Sequence, residues 1–350
     1  MAEAYVNGQA VPRDQAIAAA ARLLASATLP VIAGLAADAA GIRAGLQLAR
    51  AIGAVVDHAH GAVLSREAEV LARMGSMATT AQEVRRIGDV LLLAGLGDDA
   101  EAARLLEYLS QGAPKRIVSL GPAPEANAAV ALPAEGEHAI AGALALLRAA
   151  CAERLGKPPA DYRAAADLLR GAKFGAAIYA PALLGAPAIE MVLGLASDLN
   201  AGHRFSTVAL PAPANGEAAM QICGWLFGVP LRSRWIDGHA RHDPWRFDAR
   251  RLVEAREADA ALWIGPIEEP PAWLRRVPAV VLAGRGFAPD KMPEVAISVG
   301  RPGVDHPGVL YQLATRALSL VPASRPTALP TSADIVAAIQ AALPAKGSGA

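Results

Sequence analysis

The amino-acid sequence predicts an α/β fold divided between two domains. Its 350 residues exceed what one compact core usually holds. Hydrophobic residues make up 53% of the chain and charged residues 19%, a balance that allows extensive burial and excludes intrinsic disorder. Short apolar runs that end in glycine alternate with amphipathic stretches rich in alanine and leucine. This alternation is typical of buried parallel strands covered by helices.

The individual elements follow from these runs. Apolar runs predict nine strands, at residues 30–35, 54–57, 89–95, 116–121, 175–180, 207–210, 260–265, 279–284 and 295–300. Apolar residues at three- and four-residue spacing predict the covering helices, at residues 13–27, 40–52, 99–111, 137–154 and 218–226. The sequence after residue 254 shows the same alternation of apolar runs and amphipathic stretches as the first seventy residues. We therefore expect a discontinuous first domain, residues 1–75 plus 252–345, with a second α/β domain inserted at residues 76–251.

Charge and cysteine content exclude several functional classes. The 33 Lys plus Arg residues balance 33 Asp plus Glu residues, so the chain has no basic field to hold nucleic acid. Cys151 and Cys223 lie far apart, which excludes a disulfide scaffold, a zinc ribbon and a clustered iron–sulfur motif. No apolar run reaches membrane-spanning length, and the first residues do not read as a secretory signal. We therefore expect a cytoplasmic protein without a nucleic-acid or membrane partner.

Catalytic motifs are scarce. A dinucleotide site needs a glycine turn between strand and helix, yet the turn at Gly95-Leu96-Gly97-Asp98-Asp99 places carboxylates where phosphates would lie. His58 and His60 alternate at the end of a predicted strand, so both imidazoles point to one face near the expected crevice. This pair is either part of a metal site or a polar loop whose histidines bond to backbone or water. The sequence contains no Gly-x-Ser-x-Gly elbow and no zincin-type His-Glu pair.

Residues 231–251 form an Arg-rich segment, predicted as a connector at the end of the inserted domain. Its basic residues include Arg232, Arg234, Arg241 and Arg246, and its acids are Asp237, Asp243 and Asp248. Guanidinium groups bind carboxylates and phosphates through charge-assisted hydrogen bonds. Three interpretations stay open: a contact with another subunit, a site for a polyanion, or a solvated loop whose arginines pair with the acids.

Several short motifs follow one another in the order and spacing of a known family. They are Val6-Asn7-Gly8, Asp14-Gln15-Ala16-Ile17, Gly53-Ala54-Val55-Val56-Asp57, Asn215-Gly216, Gly228-Val229-Pro230, Gly303-Val304-Asp305 and Leu329-Pro330-Thr331-Ser332-Ala333. Through them the chain resembles, nearly end to end, the B subunit of formylmethanofuran dehydrogenase, which is the pterin-bearing subunit and belongs to the molybdopterin oxidoreductase superfamily. The resemblance implies two Rossmann-like doubly wound domains, as in molybdopterin oxidoreductases, without the family's N-terminal iron–sulfur domain.

The chain departs from this family where the family binds its cofactor. The resemblance places the metal-ligating cysteine of the family at Val63, whose isopropyl group cannot ligate tungsten or molybdenum. The pterin-facing Asn-Pro of the family is replaced by Gly97-Asp98, where a carboxylate would repel a pyrophosphate. The resemblance therefore implies a degenerate pterin site near Val63, Gly97 and Asp98, with no catalytic residue, metal or cofactor on this chain.

One branch of the family has lost its redox centre in this way. It works in the formyltransferase/hydrolase complex of aerobic methylotrophic bacteria, which passes a formyl group from tetrahydromethanopterin to a methanofuran-like carrier and hydrolyses it to formate. The resemblance implies a non-catalytic structural subunit that supports the amidohydrolase, or A, subunit, with the C and D subunits completing the assembly. Zinc and the carrier would then lie on the partner subunits. Because such carriers bear a polyglutamate tail, we expect that tail, or the amidohydrolase, to face four arginines, Arg232, Arg234, Arg241 and Arg246.

Two other functions stay open from the sequence. A catalytic tungsten- or molybdenum-pterin formylmethanofuran dehydrogenase subunit would need another metal ligand, for which Ser65 and His60 are the nearby side chains. An unrelated α/β enzyme or binding protein would need a site that no motif supplies.

Overall fold

The computed structural model describes residues 3–125, 127–287 and 292–344. Its strands are, in chain order, β1 (Ala4–Val6), β2 (Gln9–Ala10), β3 (Pro30–Ala33), β4 (Val55–Val56), β5 (Val90–Ala94), β6 (Arg116–Gly121), β7 (Val130–Pro133), β8 (Phe174–Tyr179), β9 (Arg204–Ala209), β10 (Ser233–Ile236), β11 (His239–His242), β12 (Ala260–Gly265), β13 (Ala279–Ala283), β14 (Val295–Ser298), β15 (Gly308–Gln312) and β16 (Ala317–Val321). Its α-helices are α1 (Arg13–Ser26), α2 (Ala39–Ile52), α3 (Gly61–Met74), α4 (Ala81–Ile87), α5 (Ala100–Ser110), α6 (Glu137–Cys151), α7 (Ala160–Arg170), α8 (Ala186–Asn200), α9 (Gly216–Phe227), α10 (Ala249–Glu254) and α11 (Ser332–Ala341). A 3₁₀ helix covers Ala272–Arg276. The protein therefore has an α/β fold with parallel central strands.

The chain divides into two compact units. Over the described residues, the first contains Met1–Ser65, Pro213–Tyr311 and Leu318–Ala350, and the second contains Arg66–Ala212 and Gln312–Ala317. The predicted insertion at residues 76–251 differs from this division, because residues 213–251 lie in the first unit, where β10 pairs with β4. Residues 1–2, 288–291 and 345 of the predicted first domain, and residue 126 of the predicted insertion, lie outside the described residues.

The first unit is built on a nine-stranded sheet in the order β11-β10-β4-β3-β12-β13-β14-β1-β2. The strands from β4 to β14 are parallel, and the pairs at both edges are antiparallel. Val31 and Val55 face one buried core, in which Leu252 of α10 also lies. Ile32 and Val56, which point to the opposite face, are buried as well. Burial on both faces explains why these strands read as continuous apolar runs in the sequence.

The second unit is built on a parallel sheet in the order β7-β6-β5-β8-β9. Within β5, Leu92 belongs to a core that includes Leu144 of α6. Leu91 and Leu93 belong to the core on the other face, together with Leu105 of α5. Helices therefore cover both faces of this sheet. No helix among the described residues combines the length and apolar character needed to cross a membrane.

Local sequence signals set several helix ends. The Asp38 carboxylate accepts the Gly41 backbone N–H at 3.1 Å and caps α2, which ends where Gly53 adopts a φ of +73°. Thr331 and Asp334 form a reciprocal capping box at the start of α11. These contacts satisfy backbone groups that a helix end leaves unpaired.

Each of the nine predicted strands corresponds to a strand of the structure, and the five predicted helices correspond to α1, α2, α5, α6 and α9. The structure adds edge strands of the two main sheets, a separate two-stranded sheet of β15 and β16, and the remaining helices. The Arg-rich segment is not a connector. Its residues Ser233–Ile236 and His239–His242 form an antiparallel hairpin at one edge of the first sheet.

Candidate functional site

The carboxyl ends of β3, β4 and β12 meet at one edge of the first sheet. The chain leaves β3 towards β4 and leaves β12 towards β13 on the other side, so the strand order changes direction between β3 and β12. The Gly34 carbonyl accepts the Ala59 N–H, and the Ile264 carbonyl accepts the Ala36 N–H, both at 2.9 Å. Ligands of open α/β sheets bind where the strand order changes direction. This edge is therefore the candidate site of the first unit.

His58 lies at this edge with both ring nitrogens engaged. Its Nδ1 accepts the His60 backbone N–H at 3.0 Å, so Nε2 carries the proton and donates to the Ala214 carbonyl at 3.2 Å. Burial lowers the pKa of His58 to about 3, which keeps the ring neutral. His58 is thus a positioning residue of the loop, and neither nitrogen is open to a metal.

His60 and Glu268 are the polar side chains that converge here. The His60 Nε2 atom is buried, makes no hydrogen bond within the described residues, and lies 3.7 Å from Glu268 Oε2. Among the described residues, no group of three or more His, Cys, Asp or Glu side chains is arranged to hold a metal ion. A His–Glu pair alone falls short of the three or four protein ligands of zinc sites. Sequence reasoning missed Glu268, because nothing in a single sequence links it to His60.

A buried charge cluster lies next to this edge, directly after β4. The Asp57 carboxylate accepts the His58 N–H at 2.8 Å and the Ala249 N–H at 3.0 Å. The Arg232 Nε lies 3.4 Å from the same carboxylate, and the Arg232 Nη2 lies 2.6 Å from Asp248 Oδ2. Burial raises the pKa of Asp57 to about 6, although Arg232 and the backbone donors act in the opposite direction.

The placement of Arg232 corrects a prediction from the sequence. The sequence predicts that Arg232 binds a carrier tail or faces a partner, but the side chain is buried and the residue has only 9% of its surface exposed. Its guanidinium is divided between Asp57, Asp248 and the Pro244 carbonyl, to which Nη1 donates at 2.8 Å. Because its donors are used inside the first unit, Arg232 fixes the Arg-rich segment to the sheet.

The other three arginines of the predicted site lie on the hairpin or just after it. Arg234 of β10 is paired directly with Arg241 of β11. Arg234 is half-buried and its Nε donates to the Gly53 carbonyl at 2.9 Å, whereas Arg241 and Arg246 are exposed. Burial, followed by repulsion from Arg246, lowers the pKa of Arg234. Arg234 and Arg241 are therefore adjacent across the hairpin and Arg246 follows four residues after β11, whereas the donors of Arg232 are used inside the first unit.

The residues of the predicted pterin site belong to different units. Val63 lies in the first turn of α3, and its N–H donates to the His60 carbonyl at 3.1 Å. Gly97 and Asp98 lie in the turn between β5 and α5 of the second unit, where Gly97 has a φ of +54°. The Asp99 carboxylate accepts the Ala102 N–H at 2.9 Å and caps α5. A phosphate at this helix start would meet that carboxylate.

A cavity of about 580 Å³ adjoins the carboxyl ends of β12 and β13. Its apolar lining includes Leu274, Val277 and Val281, which also belong to the core of the first unit. Among the described residues, three carboxylates and three guanidinium groups line its polar part, those of Glu268, Glu269, Glu294, Arg275, Arg285 and Arg301. Its volume is that of a small-molecule site, but the equal numbers of these described groups select neither an anion nor a cation. No sequence motif indicates this cavity.

Comparisons with known proteins give consistent results. The chain is 34% identical over 350 residues to the B subunit of the formyltransferase/hydrolase complex Fhc of Methylorubrum extorquens, covering 96% of this chain and 95% of that protein. It is 22% identical over 335 residues to the B subunit of tungsten-containing formylmethanofuran dehydrogenase 2 of Methanocaldococcus jannaschii, covering 87% of this chain and 77% of that protein. No family model matches the chain.

A solved structure agrees with the first of these relatives. The crystal structure of the complex FhcABCD from Methylorubrum extorquens, determined with methylofuran, contains a chain that matches this one with a TM-score of 0.89 and 33% sequence identity. The match covers 97% of this chain and 98% of that chain. Together these similarities confirm the resemblance that the sequence motifs indicated.

Proposed function

The chain belongs to the B-subunit family of formyltransferase/hydrolase complexes, and we propose on that basis that it is the non-catalytic structural subunit of such a complex. The observation that carries this proposal is 34% identity over 96% of the chain, together with a TM-score of 0.89 to a chain of FhcABCD. Its partners are then the A, C and D subunits. The complex passes a formyl group from tetrahydromethanopterin to a methanofuran-like carrier and hydrolyses it to formate, with zinc and the carrier on the partner subunits.

The chemistry of the former cofactor site supports a non-catalytic role. Position 63, which the family resemblance aligns with the metal-ligating cysteine, carries an isopropyl group, and hydrocarbon side chains do not ligate metals. The two thiols of the chain, Cys151 in α6 and Cys223 in α9, are both buried, and burial raises the pKa of each to about 12. Neither lies at the start of α3, where position 63 stands. His58 has no free nitrogen.

The alternative, a catalytic tungsten- or molybdenum-pterin subunit, has weaker support. The tungsten-containing relative is only 22% identical, against 34% for the Fhc protein. Near position 63, the side chains that could have replaced the cysteine are those of Ser65 and His60. Ser65 is buried and makes no hydrogen bond within the described residues, and His60 faces Glu268.

We also propose that both units are Rossmann-like doubly wound domains, as in molybdopterin oxidoreductases. The order of the second sheet, in which the strands run outwards in both directions from β5, supports this assignment. We further propose that the complex acts in the cytoplasm. Two free, buried cysteines are in keeping with a reducing compartment.

Co-expression with the A, C and D subunits tests the proposed function. We expect a stable complex that contains this chain and converts formyl-tetrahydromethanopterin to formate, and loss of the assembled complex when this chain is omitted. A His60→Gln variant should retain turnover to within about twofold, since a non-catalytic chain loses no transition-state contact. Complete loss of turnover in an intact His60→Gln complex would favour the catalytic alternative.

A further inference from the structure

Arg234, Arg241 and Arg246 form a cationic cluster at one edge of the first unit. Arg234 and Arg241 are directly opposite each other on β10 and β11, which places both side chains on one face of the hairpin. Arg246 is close enough to Arg234 to lower the pKa of its guanidinium. Like charges directly opposite each other on paired strands are destabilising. In the isolated chain these guanidinium groups therefore repel one another, and an acidic partner would reduce this repulsion.

The nearby acids do not neutralise this cluster. Asp248 is paired with Arg232, Glu254 with Arg250, and Glu257 with Arg251. The Asp243 carboxylate accepts the backbone N–H groups of Trp245 and Arg246, at 3.0 and 2.8 Å. Within the described residues, no carboxylate lies within 4.0 Å of a nitrogen of these three guanidinium groups. Asp243 and Glu257 act on Arg246 only at longer range.

An exposed tryptophan lies beside the cluster. Trp245 precedes Arg246 and is 72% exposed. The Arg251 guanidinium lies 4.5 Å from the centre of the indole ring and donates to the Trp245 and Arg246 carbonyls, at 3.0 and 2.7 Å. The Glu257 carboxylate forms an ion pair with the same Arg251 guanidinium. The loop is thus fixed with its largest apolar side chain in solvent, and Trp next to Arg is the composition of interface hot spots.

We infer that Arg234, Arg241, Arg246 and Trp245 form a docking surface for an acidic segment of another protein chain in the assembly. This inference rests on the proposed function. Three cations without a carboxylate within 4.0 Å, over the described residues, favour carboxylates in a partner, and the exposed indole favours apolar side chains beside them. A folded protein surface offers both groups. A flexible chain of carboxylates alone would leave the indole uncovered, which favours a folded partner over a carrier tail as the occupant.

The test compares binding of full-length variants to a complex of the A, C and D subunits. In Arg241→Glu/Arg246→Glu, two exposed cations become anions, and we expect the dissociation constant to rise by about tenfold or more. Trp245→Ala should weaken binding without changing charge. Arg22→Glu/Arg43→Glu is the matched control, since it reverses two exposed helical arginines of the same unit. Circular dichroism melting curves verify that every variant is folded.

The outcomes separate this inference from the function on which it rests. Weaker binding of the Arg241/Arg246 and Trp245 variants, with wild-type binding of the control, is the expected result. If the wild-type chain does not bind, both the function and the docking surface are wrong. If the wild-type chain and the Arg241/Arg246 variant bind equally well, only the docking surface is wrong. Normal assembly with loss of carrier turnover would assign the arginines to the carrier tail and would likewise overturn the inference.

Discussion

The Asp57 carboxylate joins segments of the first unit that are far apart in sequence. It follows β4, lies beside Arg232 and accepts the Ala249 N–H at the start of α10. A Cβ atom at Gly61 would overlap this carboxylate, so the start of α3 requires glycine. The fully buried carboxylate thus fixes the Arg-rich segment against the sheet.

Removing Arg232 should be strongly destabilising. Arg232→Ala leaves the Asp57 carboxylate buried without its cation and removes the partner of Asp248. We expect a loss of about 3–5 kcal/mol in the free energy of unfolding, measured by urea denaturation. The control Arg241→Ala removes an exposed arginine of the same segment and should change stability by less than about 0.5 kcal/mol. Equal losses in the two variants would show that Arg232 does not anchor the segment.

Burial of Asp57 predicts that stability depends on pH. The pKa of about 6 in the folded protein lies above the ordinary value of 3.8, so the folded state holds this proton more tightly than the unfolded state. The resulting contribution is complete below about pH 4 and is lost as the pH rises through about 6. Over the complete transition, from about pH 3 to about pH 7, the wild type should lose about 3 kcal/mol relative to Asp57→Asn, which cannot ionise. Urea unfolding of both proteins across this range measures the difference, and a constant difference would contradict it.

Sequence reasoning identifies some of these residues but not their partners. His58 and His60 follow the end of β4, as predicted. The sequence assigns Arg232 to a ligand or another protein chain, because its contact with Asp57, 175 positions away, has no signal in a single sequence. A buried ion pair depends on tertiary packing, which periodicity does not report.

The β10–β11 hairpin owes its shape to a two-residue turn. Asp237 and Gly238 have φ values of +51° and +77°, and Asp-Gly is a preferred sequence for a turn in which both residues have positive φ. The turn closes the pair between Ile236 and His239. It thereby sets the register that brings Arg234 opposite Arg241.

Alanine substitutions at Gly34 and Gly238 distinguish two destabilising effects, the strain of a positive φ and the steric overlap of the added Cβ atom. Gly238 and Gly34 have φ values of +77° and +81°, but a Cβ at Gly238 meets no atom within 4 Å, whereas one at Gly34 would lie 2.7 Å from the Ile264 carbonyl oxygen. Gly238→Ala should cost about 1 kcal/mol. Gly34→Ala should cost about twice as much or more, because the loop after β3 must also move away from β12. Equal losses in urea unfolding would mean that the close approach is relaxed in solution.

Strands buried on both faces can be read from the sequence, and edge strands cannot. The central strand Ala260–Gly265 is an apolar run whose predicted bounds match the observed ones. The edge strand His239–His242 lacks the alternation of apolar and polar residues that indicates a strand. The sequence indicates only the turn before it. Helix α8 (Ala186–Asn200) escapes prediction because it is apolar on most of its faces, which hides the amphipathic period.

At the scale of the whole molecule, the first sheet keeps a strand order at which ligands bind in open α/β sheets, and the proposed non-catalytic role depends on the residue at position 63. The strand order of the first sheet still changes direction between β3 and β12. Val63 stands where the family resemblance expects a metal-ligating cysteine, and Asp99 caps the helix whose start would face a phosphate. The family is readable from colinear motifs, as the 34% identical relative confirms. The sequence does not indicate that residues 213–251 belong to the first unit, because this depends on the pairing of β10 with β4.

The most direct test of a non-catalytic role is metal analysis of the native complex, resolved by protein chain. Tungsten, molybdenum, iron and zinc would be quantified for each separated chain. We expect zinc with the amidohydrolase, and no stoichiometric tungsten, molybdenum or iron with this chain, because the isopropyl group of Val63 cannot ligate them and both thiols are buried in other helices. Tungsten or molybdenum bound to this chain at about one atom per molecule would contradict that role and would identify the chain as an oxidoreductase with an unusual metal ligand.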